Sequence, residues 1–246
     1  MKVLSPLEKV KLYVEKHTKL TEEAKLKMRK LNPGPTITIS RETGIGAEVI
    51  SEKLIEFIKK HSKEEKTEWV YFDKNLIKKV LEDHNLPARL DKFMTEKETS
   101  TMNSMFNELL GIHPSRLKLY HKISKTIYQL AELGNVIIVG RGGNIITSNL
   151  DNAYHVRLVA PLNMRVENAQ KLYNFDKKTT FNFIKKEDKV RKELVKKYYH
   201  KNIDDPLLYH LTINTNLLSF DDIAEIIGQL VIKRFPKLFD ISNSFI

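Results

Sequence analysis

Short runs of β-branched and apolar residues punctuate this chain at Thr36–Ser40, Trp69–Phe72, Asn135–Val139, His155–Val159 and Leu211–Thr215. Each has the length of a buried strand. Between them the apolar residues change to helical spacing. After the first run, Val49, Ile50, Leu54, Ile55 and Ile58 mark one face of a helix starting near Ala47. The pattern predicts further helices from about Asn75 to Asp83, over 115–133, through 163–202, and after Ser219. Gly134 stands in the usual C-terminal cap position of the 115–133 helix. Ser219 caps the last one, with Asp221 and Asp222 in its first turn and Ile223, Ile226, Ile227 and Leu230 on one face. Residues 86–114 are polar, weakly periodic and hold Pro87 and Pro114, so helix and loop both stay open there. Strands alternating with helices predict an α/β fold, a parallel sheet with helices on both faces.

Ahead of the first strand, residues 5–31 read as helical. Ser5-Pro6-Leu7-Glu8 combines a capping box with proline at the first helical position. Asn32-Pro33-Gly34-Pro35 then breaks the chain. Residues 1–35 are therefore expected to form a helical extension, and 36–240 the main domain.

Composition narrows the function. Hydrophobic residues make up 41% and charged residues 30%, a globular balance. No apolar run approaches the roughly 20 residues needed to span a bilayer, and the charged start has no apolar core like that of a secretory signal. There are 0 cysteines, which excludes disulfides and thiolate metal sites and fits a cytoplasmic protein. The 8 histidines are scattered without ligand spacing, so no zinc is expected. Lys and Arg outnumber Asp and Glu by 42 to 31, a net charge of +11 that favours anionic partners. Much of the surplus falls in 165–201, which also suits a solvated helix pair.

In such sheets ligands gather at the carboxyl ends of the strands, and three of those ends carry unusual residues. The first is Ser40-Arg41-Glu42-Thr43-Gly44-Ile45-Gly46-Ala47-Glu48. A glycine turn between strand and helix aims backbone amides at an anion. Against the phosphate-loop pattern G-x-x-x-x-G-K-[ST], Gly46 fits, but Arg41 holds the first slot, Ala47 the lysine slot and Glu48 the hydroxyl slot. A tight turn with no ligand uses glycines too. The second end is Gly140-Arg141-Gly142-Gly143, where glycines open the backbone and arginine offers a planar fork of donors. The third is Asp73, which suits a substrate-orienting carboxylate or a plain helix cap.

Read in order, Ile39-Ser40-Arg41-Glu42 with Gly44 and Gly46, then Tyr71-Phe72-Asp73-Lys74, Val136-Ile137-Ile138-Val139-Gly140-Arg141-Gly142, Val156-Arg157-Leu158-Val159-Ala160-Pro161 and Tyr209-His210-Leu211-Thr212-Ile213-Asn214-Thr215 resemble the cytidylate kinase-like family. This is a divergent branch of the P-loop nucleoside monophosphate kinases, and the resemblance runs from about Thr36 to Arg234. It implies a P-loop NTPase three-layer sandwich with a helical lid over about 163–202. It implies ATP-dependent phosphoryl transfer to CMP or dCMP, with Mg²⁺. Asp73 then lies near the monophosphate and Arg141 on its phosphate, although Gly142 stands where ordinary members have aspartate. Arg165 opens the lid, and Asp188 and Arg191 match its Asp-x-x-Arg. Residues 40–48 take the ATP phosphates, with Arg41 replacing the absent lysine and Glu48 helping to hold Mg²⁺. The expected partners are ATP and a nucleoside monophosphate, with no membrane, and the chain is a monomer or homodimer. The altered loop also suits a nucleotide-binding regulatory protein with little turnover. A nucleic-acid module is disfavoured, since no RRM, helix-turn-helix or zinc-finger pattern is present.

Overall fold

The computed structural model describes residues 5, 8–9, 11–13, 15, 34–63, 68–73, 75 and 114–239, with the side chains of 114–119 outside that description. The expected helix over 75–83, apart from Asn75, and the 86–113 segment lie outside the described residues, as do residues 16–33 of the arm.

The strands are β1 (Thr36–Arg41), β2 (Val70–Phe72), β3 (Val136–Val139), β4 (Ala153–Val159) and β5 (Leu211–Asn214). The helices are α1 (Ala47–His61), α2 (Pro114–Leu133), α3 (Gly143–Ile146), α4 (Leu162–Tyr173), α5 (Lys177–Tyr199) and α6 (Phe220–Arg234). The sheet is parallel throughout, in the order β2-β3-β1-β4-β5. The chain crosses from one side of β1 to the other between β3 and β4. The carboxyl end of β1 is therefore a switch point, where the connecting loops part and leave a crevice.

Alternation along β1 decides what each face meets. Ile37 and Ile39 turn toward α1 and α6 and pack with Ile50, Leu54, Ile223 and Ile227. Each such fully buried aliphatic side chain contributes roughly 1.5–3 kcal/mol. The opposite face carries Val136, Ile138 and Phe72 against Ile127 and Leu130 of α2. Tyr13 of the N-terminal segment is wholly buried in the same cluster, and its hydroxyl donates to the Gly134 carbonyl. Ser5 and Glu8 form the expected capping box, Ser5 N donating to Glu8 Oε2 at 2.7 Å and Glu8 N to Ser5 Oγ at 3.3 Å. The result is a three-layer α/β fold.

On α6 the buried stripe is rotated from its expected position. Ile226 is exposed, while Ala224 and Gly228 are buried beside Ile223 and Ile227. The small residues let α1 approach closely. A Cβ on Gly228 would lie 2.3 Å from Phe57 Cδ1.

The α2-side face of the central strands is polar. Thr38 faces His155 and Ser40 faces Arg157 in register. Thr38 Oγ1 lies 2.9 Å from His155 Nδ1. The His155 ring stacks on His210 at 4.8 Å, and His210 Nδ1 accepts the His155 backbone amide. Burial, and then His210, lower the His155 pKa to about 4. Unfolded, the residue titrates near 6.5. Between those values the unfolded chain holds more protons, so stability is expected to fall as pH drops from 6.5 toward 4. The full difference is worth about 3 kcal/mol. Urea midpoints at pH 7 and pH 5 should differ in the native chain, and His155→Gln should narrow the gap.

Candidate functional site

Two glycines shape the β1–α1 loop. Gly44 has φ +90°, and a Cβ there would lie 2.4 Å from the Arg165 carbonyl oxygen. Gly46, at φ +83°, is the N-cap of α1 and offers no side-chain cap. The first-turn amides of α1 are thus left to a ligand or solvent, at the positive end of the helix dipole. Ala47, in the lysine slot, is buried against the apolar core. Ile45 is likewise buried, so its backbone rather than its side chain is what the loop offers.

The start of α4 and the middle of α5 are bolted to this loop. Arg165 is buried at the base of α4, where its Nε donates to the Ala160 carbonyl and its Nη1 to the Thr43 carbonyl at 3.2 Å. The same Nη1 meets Asp188 Oδ2 at 2.6 Å. Asp188 Oδ1 accepts from the Thr43 amide at 2.9 Å and from its hydroxyl at 2.6 Å. Arg191, one turn on, donates to Asp188 Oδ1 at 3.1 Å and to Thr43 Oγ1. Glu42 turns away from the loop mouth, where its Oε2 accepts the Ala160 amide at 2.9 Å and faces Arg165 at 3.4 Å. Arg165, Asp188 and Arg191 therefore act on Thr43 as one unit.

At the end of β1 lies a small open cleft of about 100 Å³. Arg41, Arg141 and Arg191 line it, with Ser40 at the end of β1 and apolar Val190 and Leu194 from α5. Gly140, Arg141 and Gly142 all have positive φ, at +81°, +57° and +71°. An arginine held left-handed stores strain of order 1 kcal/mol, which in folded proteins gathers at functional turns. The Arg41 guanidinium lies against this turn, its Nη1 only 2.2 Å from where a Cβ on Gly140 would sit. Burial first, then Arg191, lower the Arg41 pKa to about 10, with Arg141 adding to the effect. Three converging guanidinium groups repel one another until an anion enters.

Carboxylates balance the cations at one side. Partial burial of its carboxyl, then Asp73, raise the Glu48 pKa, while Arg41 opposes the rise. Asp73 Oδ1 also accepts the Asn75 amide at 3.0 Å. Among the described residues no group of three or more His, Asp or Glu side chains forms a ready metal cage.

The structure thus gathers Arg41, Glu48, Asp73, Arg141, Arg165, Asp188 and Arg191 about one loop. Sequence reasoning passed over Arg157 and Tyr209, which brace the end of β1. Arg157 Nη1 donates to Ser40 Oγ at 3.0 Å, and Tyr209 Oη lies 3.3 Å from the same oxygen. A charged residue within a strand read as buried was the available signal.

Residues 36–217 match the model of the cytidylate kinase-like family. Over 116 residues the chain is 30% identical to the cytidylate kinase of Staphylothermus marinus, covering 47% of this chain and 64% of that enzyme. Over 100 residues it is 24% identical to a uronate isomerase of Corynebacterium glutamicum, covering 41% of this chain and 19% of that protein. The chain thus spans under two thirds of either relative's length. A crystal structure of an uncharacterized protein from Eubacterium ventriosum superposes with a TM-score of 0.62 at 20% identity, covering 81% of this chain and 98% of that one. That likeness extends to the fold.

Proposed function

The chain belongs to the cytidylate kinase-like family, and from that premise we propose that it transfers a phosphoryl group from ATP to a nucleoside monophosphate, CMP or dCMP. The observation that carries the reading is the convergence of Arg41, Arg141 and Arg191 on one cleft, with the uncapped N-terminus of α1 following Arg41 in the chain. Phosphoryl transfer asks for alignment and positive charge around the moving group more than for covalent help. Arg141 faces the acceptor phosphate, the amides of 44–48 take the ATP phosphates, and Arg41 stands between the two. Arg165, Asp188 and Arg191 hold the lid down over the loop, excluding water that would otherwise take the phosphoryl group.

The donor set fits a magnesium ion. Glu48 and Asp73 are hard oxygen ligands whose mutual repulsion a cation would relieve. Mg²⁺ at such a place is held by one or two carboxylates plus phosphate oxygens, and when bound it neutralises charge on those oxygens.

Purified chain with ATP, Mg²⁺ and a panel of nucleoside monophosphates is expected to form a diphosphate, with CMP or dCMP the best acceptor. Turnover with another base and none with cytidine corrects the acceptor. ATP binding without turnover on any acceptor favours the regulatory alternative, which Ala47 and Glu48 in the lysine and hydroxyl slots motivate.

A further inference from the structure

We propose that Arg157 is a positioning residue: its buried guanidinium fixes Ser40 Oγ as an acceptor and so turns the Ser40 hydroxyl proton toward an anionic phosphate oxygen in the cleft. The inference rests on the phosphate-binding reading of that cleft and deepens it by one residue pair.

Arg157 lies in the middle of the sheet, directly opposite Ser40 in the β1–β4 register. Its side chain is 5% exposed. Taking a guanidinium out of water is costly unless its donors are matched, and a hydrophobic side chain of similar volume is often as stable or more so. Packing alone therefore does not explain an arginine here. Its carboxylate partner, Asp204 at 3.1 Å, is 43% exposed and shared with Lys192 of the lid helix at 2.6 Å. The other contact is Ser40 Oγ at 3.0 Å.

The hydroxyl protons around Ser40 give that contact a direction. Arginine only donates, so Ser40 Oγ accepts from Arg157. Tyr209 has one hydroxyl proton and two oxygens in reach, the Ile203 carbonyl at 2.8 Å and Ser40 Oγ at 3.3 Å. A carbonyl can only accept, and it is the nearer, so the Tyr209 proton goes to Ile203. The Ser40 proton is then left to the Tyr209 oxygen at long range or to a ligand. A phosphate oxygen is the stronger acceptor. Ser40 lines the cleft alongside Arg41, Arg141 and Arg191, so that proton has an anion site to enter. The positive charge behind Oγ polarises the O–H bond further. Because Lys192 rides on α5, lid closure and Ser40 orientation share the Asp204 carboxylate.

The test is a double-mutant cycle on pyrophosphate binding, measured by calorimetry on the full chain, with urea midpoints alongside. Ser40→Ala and Arg157→Met are each expected to weaken pyrophosphate about tenfold, and the double variant no further. Arg157→Lys, which keeps the charge and the fold if Met proves too disruptive, should recover part of the loss. Losses that multiply in the double variant overturn the inference. So do Arg157 variants that lower the midpoint yet bind pyrophosphate normally. MgATP and CMP titrations separate this from the parent reading. Coupled pyrophosphate binding with neither nucleotide bound removes the kinase assignment and leaves Arg157 in its role. Nucleotide turnover without coupling does the reverse, and a native chain that binds no pyrophosphate overturns both.

Discussion

Replacing Arg41 with alanine is expected to lower kcat/KM for phosphoryl transfer roughly a thousandfold while leaving the fold intact. Removing an arginine that stabilises charge in a phosphoryl-transfer transition state costs about 10³ or more. Arg41 follows the central strand and rests against the left-handed turn that presents Arg141. On the proposed reading it is the cation that serves both phosphates, in a loop whose lysine slot holds a buried alanine. Stability should move the other way from activity. Burial and the neighbouring Arg191 and Arg141 already loosen the Arg41 proton. Its loss relieves that repulsion, so the thermal midpoint should hold or rise. Arg41→Lys keeps the charge without the planar fork and should recover only part of the rate. A variant with native kcat/KM would remove Arg41 as the substitute for the missing lysine.

The same neighbourhood shows what a sequence reading reaches. The strand–turn–helix order around Gly44 and Gly46 was legible because glycine spacing and β-branched runs are local signals. The convergence of Arg41, Arg141 and Arg191 was legible only through the order of the family's blocks, since residues 41, 141 and 191 meet through topology and not through spacing. Two features escaped. Spacing groups Ile226 on one face with Ile223, Ile227 and Leu230, because it cannot tell which of two adjacent stripes has the small residues that admit a neighbour. Ala224 and Gly228 decide it, and only the packing of Phe57 shows why. The polar ladder across β1 and β4 escaped for a different reason. Thr38 and Ser40 look like ordinary strand residues, and His155 and Arg157 look like interruptions of an apolar run. Their meaning appears when the register pairs them. A buried charge carries information about its partner across the sheet, which no window along one strand contains.

Asp188 of α5, in the proposed lid, sits on the β1–α1 loop, where its carboxylate can act in two opposite ways. Asp188 holds the Thr43 amide and hydroxyl and both Arg165 and Arg191. If it is a latch, Asp188→Ala releases the lid: transfer should fall about a hundredfold. ATP hydrolysis per transfer should rise as water reaches the phosphates. Stability should drop by about 2–3 kcal/mol, less than for a fully isolated buried pair, because Arg165 keeps Glu42 and two carbonyls. If instead the carboxylate is a plug in the anion site, the same substitution frees the Thr43 amide, and ATP affinity should rise. The geometry favours the latch. Of the loop amides Asp188 takes that of Thr43, whereas the first-turn amides of α1, beyond Gly46, receive no side-chain cap. A triphosphate therefore has its donors without displacing Asp188, and the negative charge of Asp188 is already matched by Arg165 and Arg191. Tighter ATP binding by Asp188→Ala would reverse this assignment and make the closed lid an inhibited state.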